Sequence, residues 1–257
     1  METEPITLVR DGDFLRADGT TLGGDDGVAV AYALAVLDDD SLAHPEFEAL
    51  FTSEEEVGLL GATALDPTPI RGRVMINIDS DDEGVFTVGC AGGARVDLSL
   101  GACKESATGA AFRVKIGGLT GGHSGAEIDK GRENAILLLA HILTAVRARG
   151  SVRIASALGG NADNAIPRNA ECVFFAEGVD LEEIDAICKE SLTNIREKEP
   201  GATIKAEKVS DIKDAYSSSD TDRFLSLLSR VPNGVQAMSQ AIAGLVETSL
   251  NLGMLDT

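Results

Sequence analysis

The sequence predicts a mixed α/β chain in two units, a doubly wound α/β unit over residues 1–92 and an α+β ferredoxin-like unit over residues 93–257. Three observations predict it. Apolar runs in the first third alternate between strand-like and helix-like segments, which implies a largely parallel sheet with helices on its faces. The rhythm changes after Gly92–Gly93. Beyond that point the runs follow the order β-α-β-β-α-β, that of a ferredoxin-like unit.

The elements follow in order. Gly27 to Leu37 (GVAVAYALAVL) reads as a small-residue helix suited to close packing on a sheet. Residues 47–52 read as a strand, Gly61 to Leu65 as a short helix stopped by Pro67 and Pro69, and residues 73–79 (RVMINID) as a buried strand. In the second unit, residues 111–117 read as a strand and residues 132–149 as a helix with apolar residues at helical spacing. Strands are expected at 152–158 and 171–176, then a helix from Leu181 to Lys198 stopped by Pro200 and Gly201, then a strand at 202–209. A polar stretch, Asp214 to Asp220, leads to a helix ending at Val231, and residues 246–255 read as a closing strand.

Composition narrows the function classes. The chain has 257 residues, 44% of them hydrophobic, enough to bury a core. No apolar run approaches the ~20 residues of a membrane span, and Met1 to Arg10 shows no basic start or apolar signal core. A cytoplasmic location is expected. With 22 basic against 42 acidic side chains the net charge is −20, which disfavours nucleic-acid and anionic-membrane partners. An acidic surface aids solubility and also suits a high-salt setting, where stability should rise with salt. Cys90, Cys103, Cys172 and Cys188 form no C-x-x-C pair, and buried free thiols are expected at Cys172 and Cys188.

Three acidic clusters follow successive elements: TTLGGDDG (20–27), SEEEVG (53–58) and INIDSDDEG (76–84). In open α/β sheets, ligands gather at the carboxyl ends of strands. Adjacent acids repel one another, and either a solvated turn or a bound cation relieves that. One cluster is uninformative; three in this pattern make a metal site as good a reading as three solvated turns. Two divalent cations could polarise a carbonyl, and a carboxylate left free of metal could move the proton. Residue types alone do not choose which acid does which.

These motifs, with GCAGG (89–93), GGHSGAEI (121–128), NAIPR (164–168) and VETSLNLG (246–253), resemble in order and approximate spacing the aminoacyl-histidine dipeptidases, also called Xaa-His dipeptidases. They belong to the two-zinc metallopeptidases that include acetylornithine deacetylase. The resemblance covers nearly the whole chain. It implies a partial catalytic domain over 1–92 and a lid and dimerisation domain over 93–257. It implies hydrolysis of dipeptides, Xaa-His among them, by metal-activated water, with two Zn2+ ions (Co2+ or Mn2+ as alternatives) and a homodimer formed through the second domain. Asp25 then matches the carboxylate that bridges the metals, Glu56 and Asp79 one ligand each, and Glu55 the general base. Asp79, where deacylases tend to carry Glu, favours peptide hydrolysis. His123 matches a donor to the oxyanion, Asn164 a substrate-binding amide, and Arg168 a group for the substrate carboxylate.

Two family ligands have no counterpart, the His of an upstream H-x-D and a His near the family's C-terminus. The remaining histidines, His44 and His141, lie in no ligand motif. The expectation is an internal fragment whose own activity is open. An N-acyl amino acid deacylase and a non-catalytic dimerisation module are the alternatives.

Overall fold

The structure is a computed structural model that describes residues 5–24, 26–55, 58–80 and 84–257. It divides into two compact units, Met1–Cys90 and Ala91–Thr257.

The second unit carries the core. Its sheet has five strands in the order β13-β6-β8-β4-β9, formed by β4 (Ala110–Gly117), β6 (Ser151–Gly159), β8 (Ala170–Glu177), β9 (Thr203–Val209) and β13 (Leu255–Asp256). Every pairing is antiparallel. Helices α3 (Ala135–Arg147) and α4 (Leu181–Ile195) lie between β4 and β6 and between β8 and β9 in sequence, so the expected β-α-β-β-α-β order is present.

Alternation along the strands explains the core. Phe112, Val114 and Ile116 of β4 point to one face with Cys172 and Phe174 of β8, while Arg113 and Lys115 point to the other. Phe112 and Phe174 are register partners with ring centroids 6.1 Å apart. In β6 a register shift between Ile154 and Ser156 changes the parity. Ala157 thereby joins Val152 and Ile154 on the core face. The Ile154 N–H donates to the hydroxyl of buried Thr221 on α5 (Ser218–Leu228) at 3.1 Å, which satisfies both groups. Helix α3 closes the face with Ile136, Leu139, Ile142, Leu143 and Val146, all at helical spacing and fully buried. On the opposite face a smaller cluster around Val173, Phe175 and Ala215 forms under the two-stranded antiparallel ladder of β3 (Lys104–Ser106) and β10 (Asp214–Tyr216). The polar stretch 214–220 is therefore a strand and the start of a helix.

Two further ladders complete the unit. β5 (Gly122–His123) pairs with β7 (Ala165–Ile166), and β11 (Gly234–Met238) with β12 (Val246–Leu250). The run read as one closing strand over 246–255 is thus split between β12 and β13.

The first unit holds a hairpin of β1 (Leu8–Asp11) and β2 (Phe14–Ala17), helix α1 (Gly27–Asp38) and helix α2 (Leu60–Ala64). Gly12 sits in the two-residue hairpin turn at φ 63°, the backbone region that primed turns require and glycine supplies. Asp26 caps α1, accepting from Ala29 N at 2.8 Å. The strands expected at 47–52 and 73–79 are not formed. Residues 73–79 were read as buried, yet Met75 and Ile76 are 87% and 81% exposed. A parallel strand takes its hydrogen bonds from strands distant in sequence and its burial from helices on both faces. Among the described residues of this unit, β1–β2 is the one ladder and no residue is buried. The first segment instead meets the chain just before the second, where the Glu48 carboxylate accepts from Arg71 N at 3.0 Å and from Gly72 N at 2.6 Å. No helix among the described residues is long and apolar enough to cross a membrane.

Candidate functional site

The ladder between β5 and β7 joins the two segments that carry three of the expected site residues. His123 is the register partner of Ala165, and Asn164 lies one residue before β7. Ser124 N donates to Asn164 O at 2.8 Å, extending the ladder by one bond. Arg168 follows two residues beyond β7, and its Nε donates to Leu119 O at 3.0 Å, tying the end of NAIPR to the start of the glycine-rich loop. All three side chains are exposed. Pro167 is buried in the turn, and its carbonyl accepts from Ala135 N at 3.1 Å at the start of α3.

Each side of the ladder is held from below. Asn251, in VETSLNLG, donates through Nδ2 to Asp163 O at 3.1 Å and Ala165 O at 2.8 Å, bracketing Asn164. Glu199 is 1% exposed, and its carboxylate accepts from Thr120 N and Oγ1, both at 2.7 Å, and from Glu133 N at 3.2 Å. Hydrogen bonds to a charged acceptor are roughly twice as strong as neutral ones, so this buried acid fastens the loop before His123 to the entry of α3. Asn134 caps α3 by accepting from Ile136 N at 3.0 Å and reaches Leu252 O through Nδ2 at 3.0 Å.

The His123 ring is oriented by its own turn. Nδ1 accepts from Gly125 N at 3.0 Å and from Ala126 N at 3.1 Å. A nitrogen that accepts carries no hydrogen, so in the neutral ring Nε2 is the donor. Glu127, four residues on, accepts from His123 N at 3.0 Å. Its carboxyl is held down to about 2 by Lys130, by the His123 amide and by Arg132.

The acidic residues lie in the other unit. Asp25 and Glu56 fall outside the described residues. Glu55 sits at the start of a tight turn in which Gly58 N and Leu59 N donate to its carbonyl at 3.0 and 2.9 Å. Glu54 and Leu59 flank it at φ 58° and 59°, left-handed conformations uncommon for residues other than glycine. Asp79 lies in an exposed segment without regular secondary structure. The expected donor set of Asp25, Glu56 and Asp79 is all carboxylate, which suits a hard divalent cation. Among the described residues, however, no three His, Cys, Asp or Glu side chains gather to hold a metal. Glu127, Arg132, Glu199 and Asn251 were not singled out from the sequence. Only Glu127 has a local signal, a carboxylate one helical turn after a histidine.

Comparison with known proteins places this site in context. Residues 114–203, which include His123, Asn164 and Arg168, match the peptidase dimerisation domain. The cytosol non-specific dipeptidase of Escherichia coli is 37% identical over 98% of this chain, which covers 53% of that protein. The crystal structure of aminoacylhistidine dipeptidase from Vibrio alginolyticus superimposes with a TM-score of 0.68 at 30% identity, over 99% of this chain and 53% of the other. The chain therefore spans about half the length of the relatives it matches. Along nearly its whole length the chain is similar in sequence and fold to the aminoacylhistidine and cytosol dipeptidases, and over residues 114–203 it matches the peptidase dimerisation domain.

Proposed function

We propose that the protein hydrolyses dipeptides, Xaa-His among them, with His123, Asn164 and Arg168 as its substrate-facing groups. The observation that supports this reading is the β5–β7 ladder, which joins the His123 and NAIPR segments within the stretch that matches the peptidase dimerisation domain. The His123 Nε2–H donates to the oxyanion that forms when water adds to the peptide carbonyl. The Asn164 amide holds the substrate, and the Arg168 guanidinium takes its terminal carboxylate. Glu55 removes the proton from the attacking water and passes it to the leaving amine. Asp25, Glu56 and Asp79 are the residues that would hold two Zn2+ ions, whose contribution when bound is Lewis acidity toward the carbonyl and the water. On this reading, residues 1–92 belong to a catalytic domain and residues 93–257 to a lid through which two copies pair. The protein works in the cytoplasm.

The test is turnover of Ala-His, Ala-Ala and N-acetyl amino acids by the purified chain with Zn2+, Co2+ or Mn2+, alongside metal analysis. Metal-dependent hydrolysis of Ala-His that chelator abolishes, and that falls about 10²–10³-fold in His123→Ala, is the expected result. Faster cleavage of N-acetyl amino acids would move the reading to a deacylase.

One observation favours a second reading, a non-catalytic dimerisation module. The buried hydrophobic core among the described residues lies wholly between Ala107 and Leu228, in the second unit. A chain that sediments as a dimer, binds no metal and turns over no dipeptide would be that module.

A further inference from the structure

We infer that Glu127, locked by Arg132 and Lys130, is a positioning residue that holds His123 as a fixed hydrogen-bond donor. The inference rests on the dipeptidase reading only for what the ring donates to; the geometry stands apart from it. Glu127 grips His123 at both ends of one turn. Its Oε2 accepts from His123 N at 3.0 Å, and its own N–H donates to His123 O at 3.0 Å. The turn so closed carries Gly125 N and Ala126 N onto ring Nδ1. Opening it would remove both amides from the ring.

The carboxylate is itself anchored. Oε1 takes Arg132 Nη2 and Lys130 Nζ, both at 2.8 Å. Arg132 Nη1 donates to Gly121 O, on the strand side of the histidine. Arg132 thus ties the backbone before His123 to the side chain that holds the backbone after it. Glycine at two positions makes room for this arrangement. Gly122 lies at φ 143°, and a Cβ there would occupy the place of the Arg132 guanidinium and the Glu127 carboxylate. A Cβ at Gly125 would sit 3.2 Å from ring atoms Cε1 and Nδ1, tighter than an ordinary contact. The double glycine and the glycine after Ser124 make room for the clamp and for the ring.

A fixed tautomer matters because, of the two ring nitrogens, only the one that bears hydrogen can donate to an oxyanion. A ring free to turn would present its bare nitrogen part of the time. A donor already oriented costs no reorganisation when charge develops.

The experiment is 15N spectroscopy of the histidine rings in the full chain, with exposed His141 on α3 as internal reference. In the unsubstituted protein at a pH where the ring is neutral, His123 should show a pyridine-like Nδ1 and a pyrrole-like Nε2, more widely separated than those of His141. In Glu127→Ala the separation should fall to that of His141, and exchange protection of the Gly125 and Ala126 amides should drop about tenfold, the scale of one ordinary hydrogen bond. Glu127→Gln keeps an acceptor for His123 N and should restore much of the separation. Arg132→Lys should lie between. Backbone spectra of β4 and β8 report whether the core is intact. Should Glu127→Ala fail to fold, Arg132→Lys carries the test. Unchanged His123 nitrogens in Glu127→Ala, or in Arg132→Lys where that variant must stand in, with the core intact, would overturn the inference, as would an unsubstituted His123 no different from His141. Ala-His turnover read on the same samples keeps the two claims apart: a locked ring without turnover removes the oxyanion role and leaves the clamp.

Discussion

At the scale of residues, Glu127 makes the pH dependence calculable. Lys130, the His123 amide and Arg132 hold its carboxyl at about 2, below the ordinary 4.5. A depressed carboxyl stabilises the fold fully above its ordinary value, and that contribution is lost as pH falls from 4.5 toward about 2. A 13C titration of the Glu127 carboxyl should give a midpoint near 2. A midpoint in the ordinary range would mean that the pairs with Lys130 and Arg132 are open in solution. The thiols divide as sharply. Burial raises the Cys172 thiol far above its usual range, with nearby Glu171 adding to the effect. Burial, aided by Asp185, pushes Cys188 up to about 12. Cys90 and Cys103 are exposed. A thiol reagent at about pH 8 should therefore label Cys90 and Cys103 in the native protein, and all four only after denaturation. Rapid native labelling of Cys172 would show that the sheet opens locally. The expectation of buried free thiols at Cys172 and Cys188 was legible because each lies in an apolar run. The Glu199 contacts were not, since nothing near EKEPG announces a buried carboxylate that reaches back to Thr120.

At the scale of elements, helices begin where capping chemistry places them. Asp180 accepts from Glu183 N at 3.0 Å, and the Glu183 carboxylate accepts from Asp180 N at 3.1 Å, closing a capping box on α4. Asp180→Ala should cost about 1 kcal/mol in urea-induced unfolding. A loss indistinguishable from zero would mean that the packing of Ile184, Ile187 and Cys188 alone sets the start of α4. Helix α3 starts at Ala135 rather than near Arg132 because Asn134 takes the cap, while Arg132 turns back to the histidine loop. The pair of Arg147 on α3 with Asp222 on α5, at 2.8 and 3.0 Å, lowers the aspartate and raises the arginine from their ordinary values, so each stays charged. The long helices and the core strands of the second unit were legible because their apolar periods span enough residues to be distinctive. β5 and β7 have two residues each, too few for any period, and exist through each other.

At the scale of the whole molecule, charge dominates. A net charge of −20 on 257 residues repels itself, and the repulsion is strongest in the compact state. Raising salt from about 0.1 M to about 1 M shortens the screening length from ~10 Å to ~3 Å. The thermal midpoint should rise over that range. A flat or falling midpoint would show that exposed pairs such as Arg113–Glu207, at 2.9 Å, outweigh the repulsion. The salt experiment also separates charge from packing, because the core around Phe174 and Leu139 is uncharged and its burial is little affected by screening.

What the sequence by itself determined was chemistry and local period: the acidic surface, the helices of the second unit, its β-α-β-β-α-β order, and the glycines, histidine and amide of GGHSGAEI and NAIPR. These depend on residues near one another in the chain, where spacing alone constrains the backbone. Tertiary structure decided everything that needs a partner far along the chain. It set His123 opposite Ala165, brought Asn251 to both carbonyls that flank Asn164, and sent Glu199 to Thr120, 79 residues away. It also left residues 73–79 exposed, because an apolar run becomes a strand only where another strand accepts its hydrogen bonds.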